Sequence, residues 1–224
     1  MNWFYQFLTS AVGKKIVMAL TGLFLISFLV VHAGINALIF NNDGGVLFTH
    51  WAHFMATNFV IRTIEIFLVA GFIIHIIQGL LLWKQNRAAR GEVRYKVSNP
   101  PKHSTWYSRS MTLFGTIILL FLVIHTSNFW IPNRASQFTT GEELPLYQMM
   151  IAKFQNPVEV GIYMVGVLSL LWHLLHGFQS SFQSLGLHHT KYKVLIDSTG
   201  VIFSIVICIL FAMMPISIFF HLIE

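Results

Sequence analysis

The sequence predicts an all-α membrane protein with five transmembrane helices. Three observations predict it. Of 224 residues, 55% are apolar and only 10% are charged, against about 25% charged in an ordinary soluble domain, and the mean hydropathy is +0.68. The charges are clustered, leaving five stretches without Asp, Glu, Lys or Arg: 16–42, 66–83, 110–133, 160–190 and 198–223. These stretches are continuously apolar rather than alternating, which argues for helices and against a β-barrel. The same composition excludes a disordered chain and a soluble enzyme. The net charge of +6 rests on too few charges to build a nucleic-acid-binding face.

A helix needs about 20 mostly apolar residues to cross about 30 Å of hydrocarbon. The first span is expected at Ile16–Phe40, after Lys14 and Lys15. That start resembles the basic opening of a signal peptide, but the apolar run is too long and no small-x-small cleavage site follows, so it is expected to remain as a helix. The second is expected at Phe59–Trp83, closed by Lys84, and the third at Met111–Ile131, between Arg109 and Arg134. The fourth is expected at Val158–Gln179, opened by Glu159, and the fifth at Leu195–Phe220, opened by Asp197. Together they form one transmembrane domain over residues 1–224. Gly71, Gly161 and Gly166 are small enough to permit close helix packing.

Eleven of the fourteen Lys and Arg fall on one side, in segments 14–15, 84–109 and 191–193; Arg62, Arg134 and Lys153 fall on the other. The positive-inside rule then places the N-terminus inside and the C-terminus outside. The basic segment 84–109 reads either as that rule alone or as a docking surface for an acidic partner. Cys208 is the sole cysteine. It excludes an internal disulfide, a covalent haem attachment motif and a cysteine-ligated cluster, and is expected to be a small packing residue.

The chemistry lies in the histidines. Of eleven, His50, His53, His103, His188, His189 and His221 fall in loops or near ends. His32, His75, His125 and His173, with His176 beside the last, fall inside four different spans. An ionisable residue within a span is costly and marks function by default. At about 1.5 Å per residue, His32 lies about 13 Å and His125 about 12 Å below the outer end, while His75 lies about 20 Å and His173 about 21 Å below it. The ruler therefore gives two pairs at two depths about 8 Å apart. Paired imidazoles on facing helices suit a flat macrocycle with two axial histidines, and two pairs suit two b-type haems.

The neighbours share a frame. His75-Ile-Ile-Gln78-Gly79 and His173-Leu-Leu-His176-Gly177 each place a glycine over the histidine's own face, leaving room for a porphyrin. His32 is followed by Ala33-Gly34 and His125 by Thr126-Ser127, again small. The frame favours His173 as the ligand, with His176 in the place of Gln78; His176 as ligand is the alternative. Other readings are structural histidines bonded between helices, or proton-pathway histidines of a transporter. Zinc competes poorly, because no carboxylate or cysteine lies at that depth to complete a tetrahedron, and no phosphate-cradling glycine motif occurs.

The segment from Trp3-Phe4 to Gly13-Lys14-Lys15, leading into Met18-Ala19-Leu20-Thr21-Gly22, the four-helix histidine pattern, and His173 to Gly186 (HLLHGFQSSFQSLG) resemble the membrane anchor of succinate:quinone oxidoreductases. The resemblance is to the single-polypeptide, five-helix, di-haem cytochrome b type. It implies a multi-pass subunit of complex II in the bacterial cytoplasmic (inner) membrane. Such a subunit holds a flavoprotein with covalent FAD and an iron–sulfur protein on the cytoplasmic side. Succinate is oxidised in the flavoprotein, not on this chain, and electrons pass between the iron–sulfur protein and a membrane quinone, commonly menaquinone, by way of two b haems. The resemblance assigns His75 and His173 to the haem nearer the partners and His32 and His125 to the distal one.

Some relatives run in reverse as fumarate reductases, and a subset of those carries a Glu two residues before the fourth-helix ligand. Leu171 stands there, which favours succinate oxidation. For quinone, the outer cluster His50, Trp51, His53, Arg62 and Glu65 offers Glu65 as proton acceptor; the competing reading is an Arg62–Glu65 pair at i, i+3. A rival inner site would use Gln179, Ser180, Gln183 and Ser184. Two further functional readings stand beside this one: a di-haem cytochrome b of another quinone-linked dehydrogenase, such as a hydrogenase or formate dehydrogenase, and a haem-free proton-coupled transporter.

Overall fold

The computed structural model describes residues 3–90 and 106–223. Its elements are α1 (Trp3–Thr9), α2 (Ala11–Asn36) with a 3₁₀ turn over Ala37–Asn41, α3 (Val46–Thr57), α4 (Phe59–Arg90) and α5 (Trp106–His125). A π-helical turn (Thr126–Trp130) joins α5 to α6 (Ile131–Thr139), followed by α7 (Leu146–Phe154), α8 (Pro157–Ser184) and α9 (Lys193–Phe219). Five helices are long and apolar enough to cross a membrane: Ala11–Asn41, Phe59–Ala88, Ser110–Thr139, Pro157–Ser184 and Lys193–Phe219. Each coincides with one expected span. Arg94, Lys96, Lys102 and His103 of the basic segment, and Glu224, lie outside the described residues.

The helices mostly overrun the charge-free stretches, and the reason is local. Capping, rather than the first charge, sets where a helix begins. Ser10 Oγ accepts from the Gly13 amide at 3.0 Å, so α2 starts before Lys14 and Lys15. Asn58 Oδ1 accepts from the amides of Val60 and Ile61 at 3.0 and 3.3 Å. Asn156 Oδ1 accepts from Val158 at 2.9 Å, with Pro157 in the first turn. Each side chain satisfies an amide that the first turn leaves unbonded. The third span runs to Thr139 because Pro132 falls in the first turn of α6, where its missing N–H costs little.

α8 is the central helix, packed against α2, α5 and α9, while α2 also packs on α4 and α9. The bundle has a basic end, with Lys14, Lys15, Lys84, Arg87, Lys191 and Lys193, and a far end, with Arg62, Arg134 and Lys153. The largest buried cluster sits at the far end. There the short α3 and α7 supply Phe48, Tyr147, Met150 and Phe154, which close over Ile39, Tyr163, Met214 and Ile218. Asp43 starts α3, accepting from the amides of Leu47 and Gly45 at 3.0 and 3.1 Å. The hydrogen bond from the Leu47 amide holds that carboxyl below the usual carboxylate range. Gly45 has φ +79°, and its α-carbon lies against the Tyr147 ring, so α3 and α7 meet where no side chain fits. A smaller cluster of Val167, Leu174 and Cys208 lies mid-bundle. α4 by contrast turns Ile66, Phe67, Ile73, Ile77 and Leu80 outward, as a helix facing hydrocarbon does.

Two glycines set the helix spacing. A Cβ at Gly166 of α8 would stand 2.5 Å from the Phe121 ring of α5, and one at Gly200 of α9 would stand 2.7 Å from Phe178 of α8. Gly71 is tight against Phe24 at 3.0 Å, while Gly161 meets nothing within 4 Å. Gly166→Ala is therefore expected to cost about 1–3 kcal/mol of stability through overpacking. Gly161→Ala is expected to be neutral or to gain up to about 1 kcal/mol from helix propensity. Thermal unfolding of the two variants in one detergent checks the contrast; equal midpoints would show that Phe121 gives way freely.

Candidate functional site

The four histidines come from α2, α4, α5 and α8 and meet in two layers. Nearer the basic end, His75 and His173 have ring centroids 6.2 Å apart at 70°. Nearer the far end, His32 and His125 have centroids 5.7 Å apart at 84°. It is His173, not His176, whose ring meets His75.

The layers lie farther apart than the ruler gave. Gly22 of α2 lies beside His75: a Cβ there would be 3.5 Å from His75 Cε1. Gly115 of α5 lies beside His173 at 3.8 Å on the same measure. Tyr163 of α8 lies beside His125, centroids 5.8 Å apart. So α2 spans the two layers from Gly22 to His32, α5 from Gly115 to His125 and α8 from His173 to Tyr163. Each interval is ten residues, about 15 Å in place of about 8 Å. The ruler failed because it took Asn41, Asn133, Arg62 and Glu159 as one level; with the layers ten residues apart, Arg62 and Glu159 stand about 7 Å lower along the bundle than Asn41 and Asn133.

The glycines that border a layer come from helices that give it no histidine. Of those expected to make room, Gly79 faces Met18 at 3.2 Å, Gly177 faces Met111 at 4.0 Å and Gly34 meets nothing within 4 Å. The ones beside the rings are Gly22 and Gly115; Ser181 Oγ lies 3.4 Å from a Cβ at Gly22. The common ten-residue interval was the available signal for them.

The far layer is lined by aromatic rings. Phe28 stacks on His32 at 5.2 Å and Phe121 on His125 at 5.6 Å, both at 23°. Phe211 lies 5.7 Å from His32, and Phe129 5.9 Å from His125. The ring nitrogens have defined partners. Thr21 Oγ1 lies 3.2 Å from His75 Nδ1 and donates to the Val17 carbonyl at 2.8 Å. Tyr163 Oη lies 3.3 Å from His125 Nδ1 and accepts from Asn128 Nδ2 at 3.2 Å. Asn128 Nδ2 also lies 3.4 Å from Glu159, which pairs with Lys153 at 3.2 Å. Asn36 Nδ2 donates to the His32 carbonyl at 2.7 Å and lies 3.4 Å from His32 Nδ1. Gln78 Oε1 and His173 Nδ1 are buried without a hydrogen-bond partner among the described residues.

These features fit a bis-histidine haem. A metal–imidazole bond is about 2 Å, so two imidazoles on opposite sides of one metal have centroids about 6 Å apart, near both observed spacings. The donor set is two imidazoles per layer. Among the described residues no group of three or more His, Cys, Asp or Glu gathers to hold a metal ion, so a tetrahedral cage is not built here. The orphaned His173 Nδ1 and the side-chain-free positions Gly22 and Gly115 concentrate at one layer.

At the far end, Glu65 is held from three sides. Arg62 Nη1 donates to Oε2 at 2.6 Å, Trp130 Nε1 to Oε1 at 2.7 Å and Arg134 Nε to Oε1 at 3.0 Å, while Arg134 Nη2 reaches Oε2. The i, i+3 pair with Arg62 is thus present, and Arg134 and Trp130, which sequence reasoning missed, join it. The π-helical turn carries Trp130 to that position. His53 pairs instead with Glu143 at 3.1 Å, and His50 packs edge-on to Trp51. At the basic end, Gln183 is exposed and Ser181 is the buried polar residue of that helix face.

Similarity to a known protein points the same way. The chain is 29% identical over 160 residues to the succinate dehydrogenase cytochrome b558 subunit of Bacillus subtilis. The match covers 71% of this chain and 70% of that protein. No family model matches the chain, and no solved structure matches it.

Proposed function

We propose that the chain is the cytochrome b membrane anchor of a succinate:quinone oxidoreductase (complex II). In this reading it carries electrons between an iron–sulfur subunit and a membrane quinone, menaquinone in keeping with the family it resembles. The observation that carries the reading is the meeting of four intramembrane histidines, from four helices, as two pairs at haem-ligand spacing. The name of the Bacillus subtilis relative supports it. His75 and His173 would hold one b haem and His32 and His125 the other; when bound, each supplies reversible one-electron transfer.

The residues of the chain then have distinct tasks. The imidazoles fix two sites about 15 Å apart along the bundle. Gly22 and Gly115 keep one layer clear of side chains, and Phe28, Phe121 and Phe211 keep the other apolar. The basic end faces the cytoplasm and receives the flavoprotein with its covalent FAD together with the iron–sulfur protein. At the outer end Glu65, anchored by two arginines, is assigned as the proton acceptor of a quinone site.

A gentle detergent preparation tests this. Two haem b per chain by reduced-minus-oxidised spectrum, with a co-purifying covalent-FAD flavoprotein, is the expected result. One haem or none sinks the paired-ligand argument, and the latter leaves the transporter reading. A hydrogenase or formate dehydrogenase in place of the flavoprotein moves the chain to another quinone-linked complex.

A further inference from the structure

We propose that Thr21 and Tyr163 are positioning residues, one for each histidine layer, that fix the ring proton of His75 and of His125 on Nδ1 and thereby set the redox potentials of the two sites separately. The inference rests on the haem reading above and goes beyond it by assigning roles to two residues that touch no metal.

The Thr21 hydroxyl has a single proton, and it is directed to the Val17 carbonyl at 2.8 Å. Towards His75 Nδ1, at 3.2 Å, the oxygen is therefore an acceptor. An imidazole that donates from Nδ1 keeps its lone pair on Nε2, the nitrogen left for a metal. At the far layer the Tyr163 oxygen lies 3.3 Å from His125 Nδ1 and accepts from the Asn128 amide at 3.2 Å; with Nε2 given to a metal, the ring proton of His125 sits on Nδ1 and that oxygen is the acceptor facing it. Asn128 belongs to the π-helical turn that begins directly after His125. Such turns are often found at functional sites, and this one places Asn128 near Tyr163.

Both contacts cross between helices, and both are reciprocal. α2 carries His32 for the far layer and Thr21 for the near one. α8 carries His173 for the near layer and Tyr163 for the far one. The other member of each pair has no such acceptor: His173 Nδ1 is unpartnered, and His32 Nδ1 faces the Asn36 amide, a donor of its own helix. Each layer thus has one imidazole with a hydroxyl oxygen at its Nδ1.

An acceptor on the outer N–H makes the imidazole a more basic ligand, which favours the more highly charged ferric state and lowers the potential. Removing the acceptor raises it. A hydrogen bond of ordinary net strength corresponds to roughly a threefold to tenfold change in the ferric-to-ferrous ratio; tenfold is about 59 mV for a one-electron couple.

The test is an optical redox titration of the purified complex, full chain and partners included. Thr21→Val is expected to raise one of the two haem transitions and leave the other in place, and Tyr163→Phe to raise the other one alone. Thr21→Ser keeps the acceptor and is expected to restore the original potential. Asn128→Leu is expected to move the Tyr163 transition in the same direction. The assignment is overturned if both variants move the same transition, if neither moves one, or if Thr21→Ser shifts as far as Thr21→Val. Two haems with unmoved potentials overturn this inference alone; an unaltered chain without two b haems overturns the functional reading and this inference with it.

Discussion

His173→Ala is expected to reduce the haem content from two per chain to one, while His176→Ala keeps two. The two residues lie three apart on α8, less than one turn, so composition and depth do not separate them. The ring contact does: His173 meets His75 at 6.2 Å. Its Nδ1 is one of the two buried side-chain polar atoms without a partner among the described residues, and Gly115 opens the space beside it. Truncating His173 would remove one of the two imidazoles proposed to hold that haem. The haem-to-protein ratio and the reduced-minus-oxidised spectrum read the result. Retention of two haems in the His173 variant, or loss of one in the His176 variant, would move the ligand to His176.

The second large effect is expected at Glu65. Glu65→Gln removes the negative charge shared by Arg62 and Arg134 and the proton acceptor assigned to the quinone site. Loss of a positioned acid–base group typically costs about 10²–10⁴ in rate, and quinone-linked turnover is expected to fall by at least about 10². Arg134→Met is the separating variant. Its side chain is 12% exposed and that of Glu65 is 19%. Breaking a fully buried pair costs about 3–5 kcal/mol, and this partly exposed one should cost about 2 kcal/mol, visible as a lower thermal midpoint. Turnover per folded complex should hold, because the carboxylate remains with Arg62. Normal quinone turnover in Glu65→Gln would remove the catalytic assignment and leave an ion-pair clamp between α4 and the segment after α5.

The bundle was legible because a span excludes charge, and five charge-free stretches locate five helices whatever their packing. Their ends were less legible, since Ser10, Asn58 and Asn156 start helices by capping amides, independently of where charges begin. The pairing of the histidines followed from depth along each chain segment. Their separation did not, because the reference residues at the far end stand at different heights. What depth does not give is direction around the helix axis. Thr21, Gly22, Gly115 and Tyr163 reach the rings from neighbouring helices; the repeated ten-residue interval hinted at Gly22, Gly115 and Tyr163, and nothing pointed to Thr21. Arg134 was hidden for a further reason. The π-helical turn over Thr126–Trp130 adds a residue to one turn, so faces counted at 3.6 residues per turn beyond His125 come out rotated.

The far-end cluster also has a consequence for the order in which the molecule is made. Its members come from the 3₁₀ turn after α2, from α3, from α7, from the start of α8 and from the last turns of α9. During synthesis, four spans would be inserted before Met214 and Ile218 exist to complete it. The cluster over the far end is therefore complete only once the fifth span is in place.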